Sequence, residues 1–215
     1  MRIVCLSDTH GQHGKLNVPD GDIILHAGDF TKRGDFGEVR EFLRWFARLP
    51  HPHKVFIGGN HDFFLERHPD GFARMIPPDC HYLNDSGVEI EGIRIWGSPI
   101  TPFFFDWAFN RHRGAEIRKH WELIPAGTDI LLTHGPAYGI LDQTFRGMPV
   151  GCEELRQTIE IIKPRLHVFG HIHEAYGRHQ EGETLFLNAS VVNLQYRVAN
   201  LPQVVAWDHH LPKRK

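Results

Sequence analysis

Short apolar runs recur along the chain, and several are apolar at nearly every position rather than at every second one. Such runs predict strands buried on both faces, as in sheets that helices cover. Strands of this kind that end in polar candidate residues are predicted at 2–7, 22–26, 54–57, 129–132 and 166–169. Further strands are predicted at 82–83, 88–90, 93–96, 184–187 and 204–207.

Helical spacing separates these runs. Apolar residues from Val39 to Leu49 recur at three- and four-residue intervals, which predicts a helix over 36–49 that Pro50 ends. Other helices are predicted over 63–75, interrupted near Pro69, and over 114–123 and 151–163.

Residues 81–97 have the pattern of antiparallel strands, with Gly87 and Gly92 at the turns. This stretch departs from a simple alternation of strand and helix. A mixed arrangement with a second sheet is therefore expected.

The composition is that of an ordinary globular protein, with 215 residues, 41% hydrophobic and 23% charged. We expect a single domain over 1–211, followed by a short basic tail at 212–215. No apolar stretch approaches the roughly 20 residues of a membrane-spanning helix, and no signal peptide is evident. A cytoplasmic protein without membrane association is expected.

Charge and cysteine content exclude other classes. The formal net charge of -2 gives no overall positive charge with which to bind duplex nucleic acid. The three cysteines are odd in number and widely spaced, which argues against a disulfide framework and against a thiolate zinc site. Histidine is unusually frequent, with 17 residues, and some of these follow the predicted strands.

Candidate metal ligands stand at the carboxyl ends of five predicted strands, where open α/β sheets place their sites. His171 and His173 are two positions apart, which on an extended backbone places both imidazoles on one side. The candidates are Asp8, His10, Asp29, Asn60, His134, His171 and His173.

These ligand types indicate the ion and the reaction. Carboxylate, imidazole and amide oxygen without thiolate suit Mn, Fe, Zn or Co better than an all-oxygen Mg or Ca cage. Seven ligands exceed the need of one ion, so two ions sharing a carboxylate, roughly 3.5–4 Å apart, are expected. Such a pair activates water and holds a tetrahedral phosphate, which predicts phosphoester hydrolysis by attack of a metal-activated hydroxide.

His61 is left free to protonate the leaving oxygen, and Asp62 to orient or polarise its ring.

Together these motifs resemble, in order, the five motifs of the calcineurin-like metallophosphoesterase superfamily. They are Asp8-Thr9-His10, Gly28-Asp29, Gly59-Asn60-His61-Asp62, Thr133-His134-Gly135 and Gly170-His171-Ile172-His173. The sequence around these motifs is similar, over nearly the whole chain, to the sequences of the animal metallophosphoesterase-domain-containing proteins, which are of class III cyclic-nucleotide phosphodiesterase type.

The resemblance implies a four-layer α/β/β/α sandwich of two mixed β-sheets flanked by helices. It also implies two metal sites that share Asp29, with His61 as the catalytic acid. The ligands would be Asp8, His10, Asp29 and His173 for one ion, and Asp29, Asn60, His134 and His171 for the other. Manganese is the expected ion, with Fe, Zn, Co or Ni as alternatives.

An aromatic loop over 103–109 has two interpretations. With Asn110 and Arg113 behind it, the loop could stack on a nucleobase while these two residues contact the substrate. The alternative is hydrophobic packing between the sheets.

The sequence thus predicts a phosphodiesterase acting on small nucleotide-like or cyclic-nucleotide diesters. The alternatives are a phosphomonoesterase or protein phosphatase, and a catalytically weak nucleotide-binding or scaffold protein of the same fold. The predicted partner is a small phosphoester, without duplex nucleic acid, and the pattern leaves the oligomeric state open.

Overall fold

The computed structural model describes residues 1–208, so the predicted basic tail at 212–215 lies outside the described residues. Its strands are β1 (Arg2–Leu6), β2 (Ile23–His26), β3 (His53–Phe56), β4 (Cys80–Tyr82), β5 (Ser86–Ile90), β6 (Ile93–Ser98), β7 (Thr101–Pro102), β8 (Asn110–Arg111), β9 (Ile130–Thr133), β10 (Leu166–Phe169), β11 (Gly177–Glu181), β12 (Thr184–Asn188) and β13 (Gln203–Ala206). The α-helices are α1 (Phe36–Ala47), α2 (Phe63–Arg67), α3 (Pro69–Ala73), α4 (Ala115–Trp121) and α5 (Glu153–Ile162). Single 3-10 turns occur at His13–Lys15 and His173–Ala175.

Most strands lie in two mixed sheets. The first has five strands in the order β13-β1-β2-β3-β4, all parallel except β13. The second has six strands in the order β11-β12-β10-β9-β6-β5, in which β11 and β5 are antiparallel to their neighbours. The remaining strands β7 and β8 form a short parallel pair.

Alternate residues of the same strand serve two different cores, as the two-residue period of a strand requires. Ile3 and Cys5 of β1 pack in a buried cluster made of side chains from both sheets, together with Val168 of β10. Val4 and Leu6 face the other way, into a second buried cluster that includes the apolar side chains of the helices. The two sheets therefore pack face to face between helical layers, which confirms the predicted fold class.

Helix α1 shows how the outer layer forms. Its buried residues are Val39, Phe42, Leu43 and Phe46, which follow the spacing predicted from the sequence. Its first turn is capped by the side chain of Asp35, which accepts the N–H of Glu38 at 2.9 Å. Phe42 stacks on Phe30 with ring centroids 3.9 Å apart, which fixes the helix against the loop that follows β2.

The structure corrects the predicted pairing of one strand and contains a strand, β11, that was not predicted. Residues 81–97 were predicted as antiparallel strands, but β4 pairs in parallel with β3, because α2 and α3 form a crossover between these two strands. Strand β11 was not predicted. Its residues are mostly exposed, so its sequence shows no alternation of apolar and polar positions.

The parallel strands of both sheets end at the same edge of the molecule. There the chain after β1 meets the chain after β12, because Ser7 donates its N–H to Ala189 O at 2.9 Å and Val191 returns a hydrogen bond to Ser7 O at 3.0 Å. This contact brings the loops of the two sheets together. Within the described part of the chain, no helix has the length and apolar character needed to cross a bilayer.

Candidate metal centre

The predicted ligands meet where the two sheets join. Asp8, Asp29 and Asn60 follow β1, β2 and β3 of the first sheet, whereas His134 follows β9 of the second sheet. His171 and His173 follow β10, also of the second sheet. Both sheets therefore contribute side chains to one cluster, as expected for loops at the carboxyl ends of parallel strands.

Asp29 lies at the centre of this cluster. Its carboxylate is buried, and three imidazole nitrogens surround the single oxygen Oδ2. The Nε2 atoms of His134, His10 and His61 lie 3.4, 3.6 and 3.9 Å from it. Its other oxygen, Oδ1, accepts the backbone N–H of His61 at 2.8 Å, which fixes the orientation of the carboxylate.

Asp8 lies beside His10 and His173. Its Oδ1 lies 3.5 Å from His173 Nε2 and 3.9 Å from His10 Nε2. The backbone N–H of His171 approaches both carboxylate oxygens, at 3.2 and 3.1 Å. Ligand atoms of three groups lie within 4.8 Å of one another, namely Asp8 with His10 and His173, His10 with Asp29 and His61, and Asp8 with Asp29 and His134.

Backbone carbonyls determine which nitrogen of each imidazole faces the cluster. The Nδ1 atoms of His10, His134 and His173 lie 3.0, 2.8 and 3.2 Å from the carbonyls of Thr31, Ala27 and Asn193, respectively. A carbonyl can only accept, so each Nδ1 carries a hydrogen and each Nε2 is the nitrogen that faces the cluster. This outer hydrogen bond is the usual support of a histidine that binds a metal.

Two details show that a cation fits this cluster. His10 Nε2 is buried and has no hydrogen-bond partner within the described residues, although buried polar atoms are ordinarily paired. His134 Nε2 faces Asn60 Oδ1 at 2.9 Å. Both atoms carry lone pairs that can bind a cation, so the residues present suit a divalent ion.

The pKa shifts of Asp8, Asp29 and His134 indicate that the two buried carboxylates are negatively charged. Burial acts to raise the pKa of Asp8, but the hydrogen bond and charge of His173 lower it below its ordinary value. Burial likewise opposes ionisation of Asp29, but the charges of His134 and His61 hold its pKa well below the ordinary range. In return, and against the effect of burial, Asp29 raises the pKa of His134 to about 9. The cluster therefore retains a proton where a metal ion would otherwise balance the carboxylates.

Asp62 is placed differently from its predicted role. Its carboxylate does not contact the His61 ring, whose Nδ1 instead bonds to Lys32 O at 2.9 Å. Asp62 accepts the backbone N–H groups of Asp29, Thr31 and Gly59 at 2.9, 3.0 and 2.8 Å. The prediction that Asp62 orients or polarises His61 was wrong, because this carboxylate is used to fasten the loops after β2 and β3 to each other.

The prediction that an extended backbone places the His171 and His173 imidazoles on one side was also wrong, although both residues line the same cavity. The backbone after Gly170 is not extended: His171 has φ of 67°, and a 3-10 turn begins at His173. Their side chains consequently diverge. The His171 ring meets that of His134 at a centroid distance of 5.0 Å, whereas the His173 ring meets that of His10 at 5.3 Å.

A cavity of about 190 Å³, which we call the mouth cavity, opens onto this cluster. Its lining residues are Asp29, Asn60, His61, Phe104, Trp107, His171, His173, Glu174, Leu194 and Tyr196. A larger groove of about 520 Å³ lies between α5 and the β11–β12 hairpin, but none of the predicted ligands lines it. The geometry of the ligands, rather than cavity size, therefore identifies the candidate site.

In the aromatic loop over 103–109, some residues fit the interpretation of core packing and others fit that of a surface for a nucleobase. Phe109 is buried in the core, whereas Phe104 and Trp107 line the mouth cavity. Trp107 lies over the His61 ring with a centroid distance of 4.3 Å.

Asn110 and Arg113, predicted to contact the substrate, do not line the mouth cavity. Asn110 accepts the Thr101 hydroxyl at 2.9 Å and donates to Phe104 O at 3.0 Å. Arg113 pairs with Glu153 and donates to the carbonyls of Val150 and Gly151 at 2.8 Å each. These contacts hold the surrounding loops together, so Asn110 and Arg113 are structural residues of these loops rather than residues of the mouth cavity.

Tyr196 is a site residue that the sequence did not reveal. Its ring packs edge-on against His10 and His173, with centroid distances of 4.7 and 5.4 Å. The turn that holds it is closed by Asn193, whose carbonyl accepts the N–H of Tyr196 at 2.8 Å. No apolar period or motif in the sequence marks the loop that contains Tyr196. Only the contact of its ring with His10 in the folded protein shows that Tyr196 belongs to the site.

Comparisons with known proteins agree with this geometry. A family model described as calcineurin-like phosphoesterase matches residues 1–175. Metallophosphoesterase domain-containing protein 1 of Homo sapiens is 41% identical over 228 aligned residues, which cover 95% of this chain and 70% of that protein. A UPF0046 protein of Caenorhabditis elegans is 35% identical over 100% of this chain and 76% of its own length.

Solved structures show the same fold at low sequence identity. The phosphopantetheinyl hydrolase of Mycobacterium tuberculosis has a TM-score of 0.64 at 14% identity, covering 90% of each chain. A protein of Thermus thermophilus has a TM-score of 0.60 at 15% identity, covering 87% of this chain and 88% of that one. At this identity the likeness concerns the arrangement of sheets and helices alone.

Proposed function

The chain belongs to the calcineurin-like phosphoesterase family, and on that basis we propose that it is a dinuclear metal-dependent phosphodiesterase. Membership implies metal-dependent hydrolysis of a phosphoester. We further propose that the substrate is a nucleotide-like diester and that the ions are manganese. The observation that carries the proposal is Asp29 Oδ2, which has the Nε2 atoms of His134, His10 and His61 at 3.4, 3.6 and 3.9 Å.

We assign two ions to this cluster, with Asp29 as the shared ligand. One set would be Asp8, His10, Asp29 and His173, and the other would be Asp29, Asn60, His134 and His171. When bound, such a pair of divalent ions supplies Lewis acidity toward the phosphoryl oxygens and lowers the pKa of water. Imidazole-rich sites with carboxylates suit manganese, and also iron, zinc, cobalt or nickel.

His61 is the proposed catalytic acid. Its Nδ1 donates to Lys32 O, so its Nε2 is the nitrogen available to the mouth cavity. Trp107 lies over the ring and His10 packs against it edge-on at 4.7 Å, which limits the directions in which Nε2 can point. A proton held at Nε2 would be delivered to the departing oxygen.

The walls of the mouth cavity favour a diester. No lysine or arginine stands among its lining residues in the described part of the chain. A phosphodiester carries one negative charge at neutral pH, whereas a monoester carries close to two, and no lysine or arginine side chain is present for the second. The exposed aromatic side chain of Phe104 and the ring of Trp107 provide faces on which a nucleobase can stack.

Hydrolysis of an aryl phosphodiester and the matching monoester by the manganese-loaded protein after chelator treatment tests the proposal. Wild type is compared with His61→Ala and His171→Ala, and with His179→Ala as a control at an exposed position on β11. We expect turnover that depends on the metal, prefers the diester, and falls by about 100-fold or more in the two site variants. The control variant should keep wild-type activity.

Other outcomes would select the alternatives. A preference for the monoester would indicate a phosphomonoesterase or protein phosphatase with the same metal centre. Absence of turnover of either ester by folded, metal-loaded protein would contradict the hydrolase proposal and favour a nucleotide-binding or scaffold protein.

A further inference from the structure

The rim of the mouth cavity differs from its floor. The floor consists of Asp29, Asn60, His61, His171 and His173, which belong to the proposed metal centre. The rim consists of Phe104, Trp107, Leu194, Tyr196 and Glu174. At about 190 Å³ the cavity is smaller than the roughly 300–1,000 Å³ of typical small-molecule sites. One organic group of the phosphoester, which we call the ester arm, must therefore extend along this rim.

Glu174 is the one rim residue that carries a charge. It lies next to His173 in the 3-10 turn His173–Ala175, and its side chain is exposed to solvent. Its Oε1 accepts the backbone N–H of Phe145 at 2.7 Å, so the loop that contains Phe145 holds the carboxylate in place. The other rim residues are apolar or aromatic and provide no cation to neutralise it.

We infer that Glu174 is a specificity-determining residue that disfavours phosphomonoester dianions, so that the preferred ester carries a single negative charge and an uncharged arm. This inference deepens the proposed function and rests on it. The metal centre attracts any phosphoryl group, and does so more strongly for a dianion. A carboxylate at the entrance opposes that preference, because like charges repel, and the apolar rim leaves the uncharged arm unaffected.

The substitution Glu174→Gln isolates this charge. The glutamine side chain has the same length, and its amide oxygen can still accept the N–H of Phe145. Glu174→Lys reverses the charge at the same position. Glu89→Gln, at an exposed position on the edge strand β5 and absent from the cavity lining, is the matched control.

The experiment measures kcat/KM of the manganese-loaded protein for para-nitrophenyl phosphate and for methyl para-nitrophenyl phosphate, which share a leaving group and differ by one charge. We expect Glu174→Gln to raise kcat/KM for the monoester by about 3- to 10-fold, with the diester changed by less than about twofold. Glu174→Lys should extend the effect, and Glu89→Gln should show none. Raising the ionic strength should reduce the effect, which a purely structural change would not explain.

The outcomes separate this inference from the proposed function. If wild type hydrolyses the diester and the ratio of the two kcat/KM values is the same in Glu174→Gln, the inference is wrong and the proposed function stands. If both esters change by the same factor in both Glu174 variants, the residue supports the loop rather than selecting charge, which also contradicts the inference. If the metal-loaded wild type hydrolyses neither ester, the proposed function fails and the inference fails with it.

Discussion

At the scale of single residues, the proposed metal centre is built on unusual backbone conformations. Asp8, His10, Asp29, His171 and Tyr196 have φ values of 55°, 39°, 56°, 67° and 56°. Non-glycine residues rarely adopt such values, and each is expected to cost about 1 kcal/mol or more. Compensation comes from the hydrogen bonds of the surrounding loops, including the four bonds that Asp62 accepts from Asp29, Thr31 and Gly59.

Glycine allows the backbone to approach the carboxylates. A Cβ atom at Gly170 would overlap the carboxylate of Asp8 and the hydroxyl of Ser7, and one at Gly59 would overlap the carboxylate of Asp29. These two glycines in the motifs are therefore explained by contact with the proposed ligands rather than by turn geometry.

Gly170→Ala is expected to weaken manganese binding by about 10- to 100-fold, because Asp8 must move away from the position that faces His10 and His173. Titration calorimetry with manganese measures the affinity. Gly14→Ala is the matched control, since a Cβ there meets no atom within 4 Å. Equal affinities in the two variants would show that Asp8 tolerates the displacement.

At the scale of secondary-structure elements, histidines inside the strands belong to the core. His26 of β2 and His167 of β10 are buried, and their Nε2 atoms lie 3.1 and 2.7 Å from the hydroxyls of Thr9 and Thr133. Burial lowers the pKa of His167 to about 3. The strand therefore holds a neutral imidazole, whereas the unfolded chain binds a proton at ordinary histidine values near 6.5.

Acid should consequently destabilise the fold through His167. Between pH of about 6.5 and 3 the unfolded state holds one more proton at this residue, so stability falls as the pH falls through this window. His167→Gln should reduce the slope of the free energy of unfolding by up to about 1.4 kcal/mol per pH unit.

Urea denaturation of the chelator-treated protein at several pH values measures this slope. Above pH 7 wild type and variant should show parallel curves, which provides the internal control. Identical slopes in the acidic range would mean that His167 is protonated in the folded protein.

At the scale of the whole molecule, the proposed ions would connect the two sheets. Asp8, Asp29 and Asn60 come from the first sheet, and His134, His171 and His173 come from the second. A ligand that binds the folded state alone stabilises it, by about 2.7 kcal/mol at a concentration 100 times its dissociation constant. In a domain of this size that corresponds to a rise of roughly 5–10 °C in Tm.

Manganese is therefore expected to raise Tm, and a chelator to lower it again, as measured by calorimetry. Asp29→Asn should abolish most of the rise, because this variant removes the charge of the proposed shared ligand. The connection between the sheets would be refuted if wild type melted at the same temperature with and without manganese.

Much of the architecture followed from local pattern. Helix α1 and strand β10 were predicted from their apolar spacing, because burial against a sheet imposes that spacing directly on the sequence. The same pattern was silent about β11, which is mostly exposed, and it gave the wrong direction for β4. Direction and pairing depend on contacts between distant segments, and no local period encodes them.

The sequence by itself determined the family, the chemical types of the proposed ligands and their positions after the strands, since these are properties of ordered residues and short motifs. Only the tertiary structure decided which imidazole nitrogen faces inward, that Asp62 fastens backbone loops, and that Glu174 and Tyr196 stand at the mouth cavity. Each of these depends on a carbonyl, an N–H group or a ring contributed by a segment distant in the chain. Folding alone brings such partners within hydrogen-bond or ring-contact distance.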